Sequence, residues 1–250
     1  MKAITKTTIS ALVLASALAP VTLANQLTLN RYVGYYSGNG GEFNLSNISG
    51  DAQSYVSKYD AKARIGDNSI ETFCLEVSEY VSLNHTYEYQ INDSAIKGGQ
   101  AVSDRISVGT GWLYSLFARG LLHGYDYTAG NGRANSAGAL QQTIWWLEGE
   151  VKTRPDNTFT TQVENYFNGL GGVSPDADSF IYHGETITAA YFGVAVLNLR
   201  ELNSNDQYWS KQDQTIWTGG GHTFVPDGGV SLMLLGLALG GLSLIRCKMA

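Results

Sequence analysis

Cys74 carries the most distinctive chemistry in this sequence. A thiol can ionise to a nucleophile, pair with a second thiol, or pack as a small apolar group. The chain holds two cysteines, and the other, Cys247, lies at the extreme C-terminal end. The stretch around Cys74 reads SIETFCLEV over residues 69–77. Side chains alternate between the two faces of a strand. Phe73, Leu75 and Val77 therefore share one face, while Thr72, Cys74 and Glu76 share the other. The thiol is expected away from the apolar face, which argues against a purely packing role.

Other chemistries find less support. A cysteine protease or amidase needs a histidine beside the thiol, and His85, His123, His183 and His222 stand in no recognisable catalytic context. Cys74 also sits on a strand rather than at the helix N-terminus that commonly activates such thiols. The four histidines show no metal-ligand spacing. The acidic loop SPDADS, residues 174–179, lacks the glycine and the distal glutamate of a calcium loop. No glycine-rich stretch has phosphate-loop spacing, and residues 109–111 read as a turn before a helix. No metal and no cofactor are expected.

The elements that must position Cys74 follow from hydrophobic periodicity. Short strand-like runs occupy 27–36 and 53–59, and a partner for the Cys74 strand follows at 87–91, with Tyr87, Tyr89 and Ile91 on one side. The middle of the chain turns helical. GWLYSLFARGLL (111–122) and NSAGALQQTIWWLE (135–148) are apolar at helical spacing. In the second, Ala137, Leu140, Ile144 and Leu147 form one core-facing stripe, with Gln141 and Trp145 one turn apart beside it. A third helix is read at 160–170, ending at Gly171–Gly172. Strand patterns return at 179–182, 186–199 and 215–217. A helical insertion between β-rich flanks predicts an α+β fold, with sandwich-like flanks and a helical subdomain between the Cys74 strand and the C-terminal strands.

The ends carry sorting information. Lys2 and Lys6 precede the short apolar run 9–18, and Thr22 and Ala24 are small residues where a signal peptidase would cut. Residues 1–24 are expected to be a signal peptide, too short to span a bilayer permanently. At the other end an uncharged run, 228–245, precedes Arg246 and Lys248. It is just long enough to cross a membrane, with its basic end cytoplasmic. Between them, residues 25–224 have the length of one ordinary domain or two small ones. The chain has 16 Lys and Arg against 22 Asp and Glu, for a net charge of −6. An acidic surface without basic clusters argues against nucleic acid and anionic lipid headgroups as partners. In an exporting compartment cysteines normally pair, so a lone Cys74 implies an intermolecular disulfide or a thiol kept for chemistry.

Two resemblances sharpen these expectations. The tail, with Val225, Pro226, Asp227, Gly228 and Gly229 before the apolar run, resembles the PEP-CTERM sorting signals of Gram-negative bacteria. That resemblance implies transient insertion in the inner membrane, processing by an exosortase, and delivery to the cell surface or the extracellular matrix. Phe73-Cys74-Leu75-Glu76 on a strand and Leu140-Gln141-Gln142-Thr143-Ile144-Trp145 in a helix resemble the Cys–Gln thioester domains of bacterial surface adhesins. In that family a strand cysteine is joined to the Gln of a Thr-Gln-x-Ala-Ile-Trp type motif. Here Leu140 stands for the Thr and Thr143 for the Ala. The resemblance implies an internal thioester between Cys74 and Gln141, with Gln142 less suitably spaced from Ile144–Trp145. Trp145, and also Trp146 or Tyr80, would shield the bond from water. An amine on a partner, such as a protein lysine, would open it and stay attached to Gln141, so the protein would be a single-use covalent binder and not a turnover enzyme. A near-copy, Gln214-Thr-Ile-Trp217, has Asp213 where Gln141 stands and reads as a strand, a coincidental likeness.

The competing expectation is a passive protein of the biofilm matrix that binds exopolysaccharide through exposed Tyr and Trp. Aromatics at this density are more often core than platform. The state of Cys74 separates the two.

Overall fold

The computed structural model describes residues 24–38, 40–96, 104–202, 205 and 207–221. Residues 1–23, which hold most of the expected signal segment, and the tail with Val225–Gly229 lie outside them, as does His222. Among the described residues no helix is long and apolar enough to cross a membrane.

The sheet grows from short alternating segments. Strand β1, Gln26–Asn30, buries Leu27 and Leu29 on one side, and β2, Phe43–Ser46, pairs antiparallel with it, Leu29 opposite Leu45. A short helix α1, Gln53–Val56, stands where a strand was expected at 53–59. The reason is a chain of turns: Asp60 caps the next 3₁₀ turn, Ala61–Ala63, through its side chain, and local i to i+3 backbone bonds run through 52–59 instead of a ladder. Strand β3, Ser69–Thr72, pairs with β2. Strand β4, His85–Asn92, buries Tyr87 and Tyr89 in the expected alternation. It does not pair with the Cys74 segment. It lies instead between β1 and the later strand β9, because β2 takes the open edge of β3. A small ribbon, β5 Ser94–Ala95 with β6 Asp104–Arg105, follows.

Three helices come next. Helix α2, Val108–Ala118, is buried almost all round, the mark of a helix inside the core rather than on its surface. Gly109 and Gly111 lie in its first turn and not in a preceding turn. A Cβ on Gly109 would meet Pro175 O at 2.5 Å, and one on Gly111 would meet Ala189 Cα at 2.7 Å. These glycines let two chain segments pack directly on the helix backbone. Helix α3, Asn131–Leu147, buries the stripe Ala137, Leu140, Ile144 and Leu147. Helix α4, Thr158–Gly169, is capped by Asn157, whose side chain accepts from the Phe159 and Thr160 N–H groups, satisfying donors that a helix start leaves open.

The chain then returns to strands: the ribbon β7 Phe180–Tyr182 with β8 Glu185–Ile187, then β9 Val194–Leu202, β10 Tyr208–Ser210 and β11 Gln214–Trp217. The large sheet has seven strands, all pairs antiparallel, in the order β10-β9-β4-β1-β2-β3, with β11 also on β9. Beyond β3 the chain meets β11. Cys74 forms an isolated bridge with Gln214, Thr215 N–H donates to Phe73 O at 3.0 Å, and Leu75 N–H donates to Asp213 O at 3.1 Å. The sheet thereby curls until it is nearly a barrel, and the fold is a mixed, β-rich α+β arrangement with a few helices. Cys74 lies on the closing seam.

Candidate functional site

The seam accounts for one difference from the sequence reading. Cys74 belongs to the polar face of its strand, yet it is fully buried, as are Thr72 and Glu76. Alternation tells which residues share a face. It does not tell that the second face is also covered, here by α3 on one side of the seam and β11 at its edge.

Helix α3 delivers Gln141 to Cys74. The Cys74 thiol donates to Gln141 Oε1 at 3.3 Å, which sets the sulfur beside the amide whose carbon it would attack. The amide is held at both ends. Its Nε2 donates to Cys74 O at 2.7 Å, while Oε1 accepts from Cys74 N–H at 3.2 Å and from Gly41 N–H at 2.9 Å. Two backbone N–H groups thus converge on the oxygen that would carry negative charge if sulfur added to the carbonyl carbon. That is the arrangement of an oxyanion hole. Gln141 is 1 % exposed and Cys74 0 %.

Electrostatics keep the thiol neutral. Burial pushes the Cys74 thiol far above its ordinary value, and the nearby Glu76 carboxyl pushes it further, with the Trp145 side chain acting in the opposite sense. The Trp145 indole N–H makes no conventional hydrogen bond, so its polar edge is left to the sulfur. Glu76 and Asp213 form a second buried group at the seam. Glu76 Oε2 accepts from Asp213 N–H at 2.9 Å, and Asp213 Oδ2 accepts from Ile96 N–H and from Asn198 Nδ2. Burial and mutual repulsion raise Glu76 to about 9, and burial raises Asp213 to about 7.

The remaining expected residues divide. Trp145 packs over Gln141: a Cβ built on Gly40 would meet Gln141 Cγ at 2.6 Å and the Trp145 ring at 2.9 Å. Tyr80 is 77 % exposed and stands at the rim of a cavity of about 570 Å³ that reaches Gln141, Gln142, Trp145 and Glu79. Trp146 is partly buried against the core and does not line that cavity. Gln142 is exposed on the cavity side. At the two positions that depart from the family motif, Leu140 is fully buried in the core, and Thr143 bonds through its hydroxyl to Ala139 O, Asn157 Oδ1 and Thr160 Oγ1. The hydroxyl at Thr143 thus joins α3 to the cap of α4. Gln214 of the near-copy is in a strand, as read, and bridges Cys74. Its place on the seam, which sequence reasoning passed over, comes from pairing and not from a helical motif.

Gly40 and Gly41 were also missed. They belong to the run GNGG at 38–41, which reads as a separator between strands. Its contribution is a backbone N–H and the absence of a Cβ, neither of which a residue type announces.

Elsewhere, His85 Nε2 lies 3.1 Å from Glu201, and Arg154 pairs with Glu164. Among the described residues no group of three or more His, Cys, Asp or Glu could hold a metal ion. Compared with protein-family models, curated proteins and solved structures, the chain finds no match.

Proposed function

We propose that this is an exported surface or matrix protein in which Cys74 and Gln141 condense to an internal thioester for covalent attachment to an amine-bearing partner. The observation that carries the reading is the Cys74 thiol placed 3.3 Å from a Gln141 amide oxygen that already receives two backbone N–H bonds. Sulfur adds to the amide carbon, the C–N bond breaks, and the thiol proton leaves with the nitrogen as ammonia. With the thiol neutral, proton transfer has to accompany addition rather than precede it. A partner amine entering by the cavity then forms a C–N bond to Gln141, and the C–S bond breaks to give back a thiol. No turnover follows, so the protein acts as a binder. Trp145 supplies the cover that slows hydrolysis.

In this reading the signal segment exports the chain, and the tail is inserted in the inner membrane and processed by an exosortase. The helical segment serves as a subdomain set between the Cys74 strand and the closing strands of sandwich-like flanks. The test is the mass of the purified protein beside Cys74→Ala. A wild type lighter by one ammonia, and heavier by one methylamine after treatment with that amine, supports the thioester. An unreacted mass together with two titratable thiols, Cys74 and Cys247, in the unfolded full chain rules it out.

A passive matrix-binding role is the second reading. It is favoured by the exposed Tyr208 and Trp209 of β10, which offer sugars one ring on each face of that edge strand.

A further inference from the structure

We propose that the buried Arg133–Glu42 ion pair is a positioning device that sets the Gly41 N–H against Gln141 Oε1; this inference rests on the covalent reading above. Arg133 and Gln141 lie on the same helix, eight residues apart, or about 12 Å along its axis at the helical rise. Glu42 follows Gly41 directly. The Arg133 side chain is 3 % exposed and that of Glu42 0 %. The guanidinium grips the carboxylate with two bonds, Nε to Oε2 at 2.8 Å and Nη2 to Oε1. Tyr125 donates to the same Oε2 at 2.8 Å. Arg133 also donates to Lys62 O and Tyr127 O and stacks 4.3 Å from the Tyr35 ring.

Together these contacts fasten residues 34–38 and 40–42 along α3. Gly130 N–H donates to Gly34 O at 3.0 Å, Tyr35 covers Arg133, Ser37 packs on the bare backbone of Gly138, and Gly40 passes over Gln141 and Trp145. The segment arrives at Gly41, whose N–H is the donor that matters, and Glu42 locks it there. Stability alone does not explain such a pair. Two charges out of water recover little more than their desolvation, and apolar residues of similar volume often do as well. What the planar fork adds is fixed geometry, and the geometry it fixes is that of an oxyanion donor.

The experiment takes the full chain from inclusion bodies, never folded and with the Gln141 amide confirmed intact by mass, and refolds it, reduced, from urea in detergent. Tryptophan fluorescence follows folding, and mass spectrometry follows the loss of ammonia. Two proteins are compared with wild type: Arg133→Lys, and the double variant Glu42→Leu with Arg133→Met. The double variant restores packing without the fork, so a merely structural pair predicts folding and ammonia loss both near wild type. Positioning predicts near-normal folding with ammonia loss slowed by about 10²-fold, the scale for a displaced or lost oxyanion donor. Arg133→Lys keeps the charge and loses the fork, and its ammonia loss is expected to slow as well even where folding is unchanged. Ammonia loss at the wild-type rate in either folded variant overturns the inference. A wild type that folds without losing ammonia overturns the covalent reading itself, which separates the two failures.

Discussion

Gly40→Ala is the substitution that questions the site most directly. Gly40 does not have a positive φ, so alanine brings no backbone strain and the added methyl acts alone. That methyl would lie 2.6 Å from Gln141 Cγ and 2.9 Å from the Trp145 ring. Carbon atoms in contact sit about 3.5–4.0 Å apart, so Gln141 or the segment carrying Gly41 must retreat by about 1 Å. From a starting sulfur-to-oxygen separation of 3.3 Å and a Gly41 donor bond of 2.9 Å, a retreat of that size lengthens both beyond useful range. A misplacement of about 1 Å costs on the order of 10²-fold in rate, or about 2.7 kcal/mol of barrier. Overpacking lowers stability by about 1–3 kcal/mol at the same time. The assay scores each on its own, the rate of ammonia loss by mass spectrometry after refolding and stability by urea titration. Ammonia loss in folded Gly40→Ala as fast as in wild type would mean that Gln141 is not held where the structure places it, and the argument from geometry would fall.

Three further outcomes follow from the same contacts. Burial raises Glu148 to about 7; its carboxyl is held by Ser107 and Thr110 at the start of α2. A carboxyl whose folded value is raised binds its proton more tightly in the native state, so its stabilisation is complete below about pH 4.5 and is lost as pH rises through about 7. The difference is at most about 3 kcal/mol, since the rest of the side chain is only half-buried. Asp213 and Glu76, at about 7 and 9, extend the decline to higher pH. Urea midpoints should therefore be higher at pH 5 than at pH 8, with a shallower fall in Glu148→Gln; midpoints rising with pH contradict this. Asn157→Ala removes the α4 cap and a partner of Thr143, and should cost about 1–2 kcal/mol by urea unfolding; an unchanged midpoint would show the cap to be idle. Trp145→Ala should leave ammonia loss possible but shorten the lifetime of the methylamine-reactive state several-fold in plain buffer, and an unaltered lifetime would deny Trp145 its shielding role.

The parts of this molecule that depend on side-chain pattern were legible. The stripe Ala137, Leu140, Ile144 and Leu147 placed α3 and left Gln141 beside it, and Tyr87 and Tyr89 placed β4. What depends on tertiary pairing was not. Nothing in SIETFCLEV says that β2 takes one edge of the strand and β11 the other, so the burial of Cys74 and the displacement of β4 to the far side of β1 had no local signal. Residues 53–59 alternate like a strand, yet successive turn bonds and the Asp60 cap decide for a helical turn. The two donors to Gln141 Oε1 are backbone N–H groups, and the Arg133–Glu42 pair joins residues 91 positions apart, a separation no window along the chain can see.

The bond proposed here also alters the topology of the chain. Cys74 and Gln141 are 67 positions apart, so their union closes a ring that threads β4, the β5–β6 ribbon, α2 and most of α3, and it does so on the seam where the sheet completes its curl. A covalent ring of that size restricts the unfolded chain by about 4 kcal/mol on the loop-entropy scale used for disulfides. Attack by an amine would open the ring at the same moment that it fastened the partner. On that reading the thioester form would be the sturdier of the two, and attachment would leave the protein relieved of its staple and easier to unfold: binding would start a clock on the fold.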